Sequence, residues 1–281
     1  MHLALSLPLL ASVLALGLGG FVLLRRRLAA PVELRGRPVL ITGGAGGLAS
    51  HLALAFARHG AIVELWDVRS VALEETSEWL RAQMLSSSQP LRLHTRTVDV
   101  ASEEAVESAA SHFVSFHGVP AVVVNNAAVV YGHSLLDVPG HALRTSLGVN
   151  ILGYFWVARA FARRVLPSRE PCTLVTVGSM MADLPAARLS DYCASKAAVA
   201  QLHACLRCEL SSLPLPHCLS CLHVQPYLIG DTPLFEGGVP FRYRLFRMLL
   251  PPLRAADVAQ KIVNAVRSRK QKLILPWLQD A

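Results

Sequence analysis

A short apolar run, Pro38-Val-Leu-Ile-Thr42, leads into Gly43-Gly-Ala-Gly-Gly-Leu-Ala49 and then into an apolar helical pattern that lasts to Ala57. Few arrangements satisfy that order. A buried strand, a glycine turn and a helix N-terminus bring backbone N–H groups and the positive end of a helix dipole to one point, which suits a phosphate. A flexible turn between unrelated elements would read similarly, so the rest of the chain has to decide. A second apolar run, residues 61–66, ends on Asp67, 24 residues after Gly43. An acid at the end of a second strand can accept both hydroxyls of an adenosine ribose and repels a 2′-phosphate. Arg69 is close enough in sequence to soften that repulsion, and a cap or loop role is the plainer alternative for Asp67.

The same alternation continues to the end of the chain. Helical patterns cover 71–84, 102–117, 141–166, 190–213 and 255–266. Strand patterns cover 91–98, 121–124, 172–177, 218–224 and 273–276. Strands end in Asp99-Val100, Asn125-Asn-Ala-Ala128, Gly178-Ser179 and Gln225-Pro-Tyr227. Small residues after a buried strand let a flat ring approach the backbone, and Asn side chains can tie neighbouring strands together. Strands alternating with helices predict an α/β fold, a single domain with a doubly wound, Rossmann-like parallel sheet. With 281 residues, 53% of them hydrophobic, the chain can bury the core such a sheet needs.

The formal charge of +8 is concentrated in two places. Arg25-Arg-Arg27 follows the apolar N-terminus, and a second basic group lies between Arg242 and Lys272. A nucleic-acid platform would interleave basic residues with stacking aromatics, so no nucleic-acid partner is expected. Basic residues flanking apolar ones suit a lipid surface. Leu3 to Leu24 holds 22 residues and no charge. As a helix it would span about 33 Å, close to the roughly 30 Å of a bilayer core. A cleaved signal peptide fits less well, because a basic n-region is missing and the arginines would open the mature chain. Residues 1–27 therefore read as a retained anchor with its domain on the cytosolic side. Pro8, Gly17, Gly19 and Gly20 leave a one-leaflet hairpin open beside a straight span.

Tyr192 and Lys196 stand four apart in Ser190-Asp-Tyr-Cys-Ala-Ser-Lys196. On a helix they share a face, one turn from each other. An ammonium beside a phenol favours the phenolate, so the tyrosine pKa should fall and the group could exchange a proton with an alcohol or carbonyl oxygen. Taken alone, the pair could equally be an ordinary amphipathic helix.

Taken together, the glycine motif at 42–49, Asn125-Asn-Ala127, Asn150, Ser179 and Tyr192-x-x-x-Lys196 resemble the short-chain dehydrogenase/reductase family in order and spacing, over residues 36–276. Within it, Asn125-Asn-Ala-Ala-Val-Val130, Asp191-Tyr-Cys-Ala-Ser-Lys196, Pro226-Tyr-Leu-Ile229 and the apolar N-terminus are most similar to the membrane-anchored retinol dehydrogenases, retinal reductases and 17β-hydroxysteroid dehydrogenases. The resemblance implies a hydride transfer between a nicotinamide cofactor, NAD or else NADP, and a lipophilic alcohol or carbonyl, first of all retinol or retinal. It implies Tyr192 as proton donor or acceptor, Lys196 as its neighbour and ribose holder, and Ser179 as hydrogen-bond partner of the substrate oxygen. Asn150 would hold a water linked to Lys196. Gly43, Gly47, Leu48, Asp67, Asp99, Val100, Asn126, Ala127, Pro226 and Thr232 would line the cofactor, with Thr232 on the nicotinamide amide. It also implies the endoplasmic reticulum membrane, or a lipid-droplet surface, as the location. A steroid or other lipid carbonyl is the alternative substrate, and a silent binding protein of the same fold the alternative class.

The sequence departs from that family in places. Ala49, Ala128 and Tyr227 stand where glycines are common, and Asp231 stands where the cofactor-facing threonine is expected, moving Thr232 one place on. Cys205-x-x-Cys208 and Cys218-x-x-Cys221 have zinc-like spacing, but one pair falls on the Tyr192 helix and the other enters a strand. Zinc pairs favour tight turns, so no metal is expected. Residues 241–250 mix three arginines with apolar side chains. They read as a substrate lid touching the bilayer or, alternatively, as surface packed on the domain or in a homodimer.

Overall fold

The computed structural model describes residues 31–213, 218–232, 234 and 251–275. The anchor read at 1–27 and the lid read at 241–250 lie outside them. Among the described residues no helix is long and apolar enough to cross a membrane.

Seven strands form one parallel sheet in the order β3-β2-β1-β4-β5-β6-β7. They are β1 (Pro38–Thr42), β2 (Ile62–Asp67), β3 (Arg92–Thr97), β4 (Val122–Asn125), β5 (Cys172–Val177), β6 (Leu219–Pro226) and β7 (Lys272–Leu275). The helices are α1 (Gly47–Arg58), α2 (Ser70–Met84), α3 (Glu103–His117), α4 (Gly140–Leu147), α5 (Gly153–Ser168), α6 (Ser190–Ser211) and α7 (Ala255–Arg267). The expected doubly wound α/β architecture is present.

Alternate residues of each central strand serve opposite layers. Val39 and Ile41 of β1 enter the core under α1 and α7, while Leu40 enters the one under α3 and α5. Covered on both faces, β1, β4 and β5 are buried along their whole length and read as continuous apolar or small-polar runs. β3 is an edge strand and mostly exposed, which fits its polar sequence Arg-Leu-His-Thr-Arg-Thr. Ala49 is fully buried within the α1 layer, so its methyl group has found room there.

The strand order reverses between β1 and β4, and that is where the cleft opens, as expected for a crevice at the carboxyl ends of strands. Thr42 and Asn126 pin those two ends. Thr42 Oγ1 accepts from the N–H groups of Asn126 (3.0 Å) and Ala127 (3.1 Å), and Asn126 Nδ2 donates to Thr42 O (2.9 Å).

The sequence predicts one helix over 141–166, but the structure breaks it. α4 and α5 are joined by a π-helical turn, Gly148–Leu152. Gly153 explains part of this: a Cβ there would stand 3.0 Å from Val100 Cγ2 and 3.2 Å from Val100 O, so a larger residue would push α5 or Val100 outward by a few tenths of an ångström. Asn150 explains the rest, exchanging two hydrogen bonds with the Val129 backbone at 2.8 and 2.9 Å. Extra helical residues of this kind are common where a side chain must be aimed.

The chain enters the domain at the opposite end of the sheet. Val32 N donates to Arg267 O (2.9 Å) at the end of α7, in the approach to β7.

Candidate active site

At the carboxyl ends of the strands lies a cleft of about 510 Å³. Its first wall is the glycine turn. Gly43 has φ +66°, and a Cβ on it would come within 2.8 Å of Ala127 Cα, so conformation and space both demand glycine. At Gly47 a Cβ would meet Thr232 Cγ2 at 2.8 Å. Gly46 starts α1 without a side-chain cap, which leaves the first N–H groups of the helix free to face an anion.

Asp67 closes this end. Its Oδ2 accepts from Ala45 N (3.0 Å), and its Oδ1 accepts from Arg69 N (3.0 Å) and Arg69 Nε (3.1 Å). The Arg69 guanidinium also reaches Oδ2 at 3.3 Å. The carboxylate is buried but the arginine side chain is 58% exposed. An exposed arm of this kind gains little from its pairing, on the order of 1 kcal/mol or less, so a ribose can displace it cheaply.

The other end of the cleft is built by β5 and α6. Buried residues of α6 fall at Tyr192, Ser195, Lys196, Val199 and His203, the spacing of one helical face. Tyr192 is 3% exposed and hydrogen-bonds Ser179, whose Oγ also accepts from Met181 N (3.1 Å). Lys196 is 1% exposed and donates to Val177 O (3.0 Å) and to Tyr154 Oη (3.2 Å). Tyr154 in turn donates to Val177 O (2.7 Å).

This arrangement corrects one expectation. Desolvation by burial pushes the Tyr192 pKa up rather than down, and the hydrogen bond to Ser179 only partly opposes it. Burial lowers Lys196 to about 7, so its ammonium form is disfavoured relative to a solvated lysine and supports the phenolate less. Its Nζ stands 5.7 Å from the Tyr192 ring centre. The Asn150 side chain bonds the Val129 backbone and donates to Ser195 Oγ (3.2 Å), and it stands behind the cleft lining, where it braces the π turn.

The structure brings the other residues singled out from sequence to one cleft: Gly43, Gly47, Leu48, Asp67, Asp99, Val100, Asn126, Ala127, Ser179, Tyr192, Lys196, Pro226 and Thr232 all line it. Thr232 packs on Gly47 and donates to Ile229 O (3.3 Å). The displaced Asp231 serves a neighbouring element, since its Oδ1 accepts from Ala255 N (2.9 Å) and caps the start of α7. Tyr154, the second partner of Lys196, carries no motif that marks it in the sequence. Its only signal is its place one turn after Asn150, visible once the helix is known to bend. The lining residues Tyr131, Met181, Ala186 and Leu189 carry no such signal either, because they belong to loops or, for Met181, to a single 3-10 turn. All six cysteines are free, and no group of three or more metal-binding side chains occurs among the described residues.

Comparison with known proteins matches residues 37–236 to the short chain dehydrogenase family. The chain belongs to that family. Human short-chain dehydrogenase/reductase 3 is 36% identical over 244 residues, covering 86% of this chain and 76% of that one. Rat retinol dehydrogenase 10 is 32% identical over 284 residues, covering 93% of this chain and 82% of that one. Among solved structures, a short chain dehydrogenase/reductase from Burkholderia phymatum in complex with NAD superposes with a TM-score of 0.74 at 25% identity, covering 86% and 90% of the two chains. An alcohol dehydrogenase from Thermococcus sibiricus, complexed with 5-hydroxy-NADP, shares the fold with a TM-score of 0.70 at 20% identity, covering 85% and 95%. The protein is an NAD(P)-dependent short-chain dehydrogenase, an oxidoreductase that uses a nicotinamide cofactor. Its cleft fits that cofactor: Gly43 and Gly47 have no room for a Cβ, the helix N-terminus is uncapped, and Asp67 closes the same end.

Proposed function

We propose that this dehydrogenase interconverts a lipophilic alcohol and its carbonyl, retinol and retinal foremost, with Tyr192 as the proton-transfer group. The observation that carries the reading is the contrast inside the cleft. Ser179 and Tyr192 present hydroxyls from a surround of Tyr131, Met181, Ala186, Leu189, Leu228 and Leu234. A polyene or similar chain could be desolvated there with only its oxygen hydrogen-bonded. The similarity to proteins named retinol dehydrogenase points the same way.

The nicotinamide, when bound, supplies or accepts the hydride. Gly43, Gly47 and Leu48 would hold its diphosphate at the start of α1, Asp67 the adenosine ribose, and Asp99, Val100, Asn126 and Ala127 the walls between them. Pro226 and Thr232 close the cleft on the β6 side. Tyr192 gives the carbonyl oxygen its proton in reduction and takes it back in oxidation. Ser179 hydrogen-bonds the same oxygen as charge develops on it. Lys196 becomes an effective partner of Tyr192 only when it carries a full charge, so a bound ribose or phosphate that favours its ammonium form would also activate the tyrosine. Asn150 and Tyr154 act as positioning residues, the first through Val129 and the second through Lys196 Nζ.

Asp67 supports NAD over NADP, with Arg69 as the counterweight that a 2′-phosphate could recruit. Residues 1–27 would tether the domain to the endoplasmic reticulum membrane with the catalytic domain, 36–276, in the cytosol, or to a lipid-droplet surface, where such substrates dissolve. The test is turnover by the full chain in microsomes, offering retinol, retinal and a steroid panel with each cofactor. Retinoid turnover at least about tenfold above any steroid is expected. Steroid turnover without retinoid turnover would replace the substrate, and turnover of neither would reject the reading.

A further inference from the structure

The two ends of the sheet differ in charge. At the amino ends, where each helix gives way to a strand, Arg35, Arg58, Arg169, Arg269 and Lys270 are exposed and Arg267 is half-buried. Three acids accompany them among the described residues, and none is left over. Glu33 Oε1 accepts from the backbone of Leu34 (3.1 Å) and Arg35 (2.9 Å). Glu170 stands 3.7 Å from a further cation, Arg37. Glu209, near the end of α6, is offset in charge by Arg207. The described loops at the carboxyl ends, by contrast, carry Asp67, Asp99, Asp137, Asp183 and Asp231 against Arg69, Arg188 and Arg254.

Local contacts hold these cations on one face. Gly36 N donates to Gly60 O (2.8 Å), and a Cβ on Gly60 would lie 3.3 Å from Arg35 Cγ, so the loops that follow Arg58 and contain Arg35 touch. Arg37 Nη2 donates to Pro171 O (3.4 Å), which joins the Arg169 loop to them. Val32 N donates to Arg267 O, which brings the end of α7, with Arg269 and Lys270, beside the same segment. Helix dipoles explain part of the pattern, because Arg58 and Arg267 lie in the last turns of α1 and α7. They do not explain Arg169 and Arg269. Both adopt left-handed backbone, with φ +60° and +56°, just past helix ends where glycine or asparagine is usual. Arginine at two such positions bears a conformational cost, which argues that the charged side chains have a task.

Where the chain comes from supplies the partner. Uncharged Leu3–Leu24 is followed by Arg25-Arg-Arg27, and Arg27 stands five positions before Val32. Five residues span at most about 17 Å even when fully extended. We propose that the amino-end face of the sheet rests on an anionic lipid surface, with Arg35, Arg58, Arg169, Arg269 and Lys270 among the headgroup phosphates. This pose builds on the reading of residues 1–27 as a tether. Long basic side chains extend their charged ends to headgroup oxygens, but the attraction fades within a Debye length, roughly 8 Å in physiological salt. A tether that ends beside the face keeps it within that range. In this pose the cleft, at the other end of the strands, opens away from the headgroups.

The full chain is reconstituted into vesicles of phosphatidylcholine alone or with about one-third phosphatidylserine. Acylation of Lys270 and Lys261 by a soluble amine reagent is followed by peptide mass spectrometry. Lys261 is exposed midway along α7 and serves as the reference. On the anionic vesicles Lys270 should react at least about fivefold more slowly than on phosphatidylcholine, Lys261 should not change, and about 0.5 M sodium chloride should abolish the difference. The variant Arg35→Gln/Arg58→Gln/Arg269→Gln should bring Lys270 back to within about twofold of its phosphatidylcholine rate, with flotation and thermal melting as in the wild type. Equal Lys270 rates on the two vesicles, which a pose with the carboxyl ends on the bilayer would also give, overturn the proposal. So does unchanged protection in the triple variant, or protection by single-stranded RNA without protection by vesicles. A chain that floats with vesicles only at low salt, yet shields Lys270 there, loses its tether and keeps the lipid-facing surface. A chain that floats at neither salt overturns both.

Discussion

The two ends of the main cleft are built from different materials. The cofactor end is made of strand termini and backbone: the turn at Gly43, the Thr42–Asn126 pin and Asp67 at the end of β2. The end proposed for the substrate is made of side chains from loops and a 3-10 turn, Tyr131, Met181, Ala186 and Leu189, around the hydroxyls of Ser179 and Tyr192. Sheet geometry leaves little freedom at the first end, so any chain with this fold must place a phosphate and a ribose in much the same way. Loop side chains vary at little cost to the core, so they can change substrate without disturbing the chemistry.

If that division is right, substitutions at the two ends should fail differently. Tyr192→Phe keeps the ring and removes the exchangeable proton. Turnover should fall by about 10²-fold or more while NADH affinity, read by fluorescence titration, stays within about twofold. Ser179→Ala should cost somewhat less, about 10²-fold, because one hydrogen bond to the developing charge is lost. Gly43→Ala tests the other end. Its φ of +66° and the 2.8 Å approach to Ala127 Cα should lower stability by about 1–2 kcal/mol from the backbone alone and weaken cofactor binding severely. Asp67→Ala should move the ratio of NAD to NADP affinity about tenfold toward NADP, since it removes a carboxylate and frees Arg69 at once. Leu189→Ala, at the loop end, should raise KM for a long apolar substrate by up to about tenfold with little change in cofactor affinity.

The contrast between the ends also explains what the sequence could say. The Gly43–Ala49 turn, Asp67 and the Tyr192/Lys196 pair are local patterns tied to element boundaries, and the doubly wound sheet follows from their alternation. The broken helix at Gly148–Leu152 was not legible, because its cause is a contact between Asn150 and Val129, 21 residues away. The pKa directions were not legible either. Spacing on a helix puts Lys196 beside Tyr192, but burial depends on how the whole domain closes over both, and desolvation proved the larger effect. Asp231 stands where a cofactor-facing threonine is expected, and only the packing of α7 shows that it caps a helix.

The far end of the buried face of α6 gives the smallest effect. His203 and His223 are held neutral in the folded chain with pKa values of about 3 and 4, below the 6.5 of an unfolded imidazole. As pH falls from 6.5 toward 4, the unfolded chain binds protons that the folded chain refuses, so stability drops across that window. His203→Leu should flatten this part of the stability profile, measured by denaturant melts between about pH 4 and 7, whereas Tyr192→Phe should leave it unchanged.

The central claim is that hydride moves between the nicotinamide and a lipophilic carbonyl above Ser179 and Tyr192. It is tested most directly by incubating the full chain with retinal and NADH carrying deuterium at C4, then weighing the alcohol by mass spectrometry. The account predicts retinol one mass unit heavier, formed by the wild-type protein and reduced about 10²-fold or more in Tyr192→Phe. Unlabelled retinol, or equal labelled product from Tyr192→Phe, would contradict it.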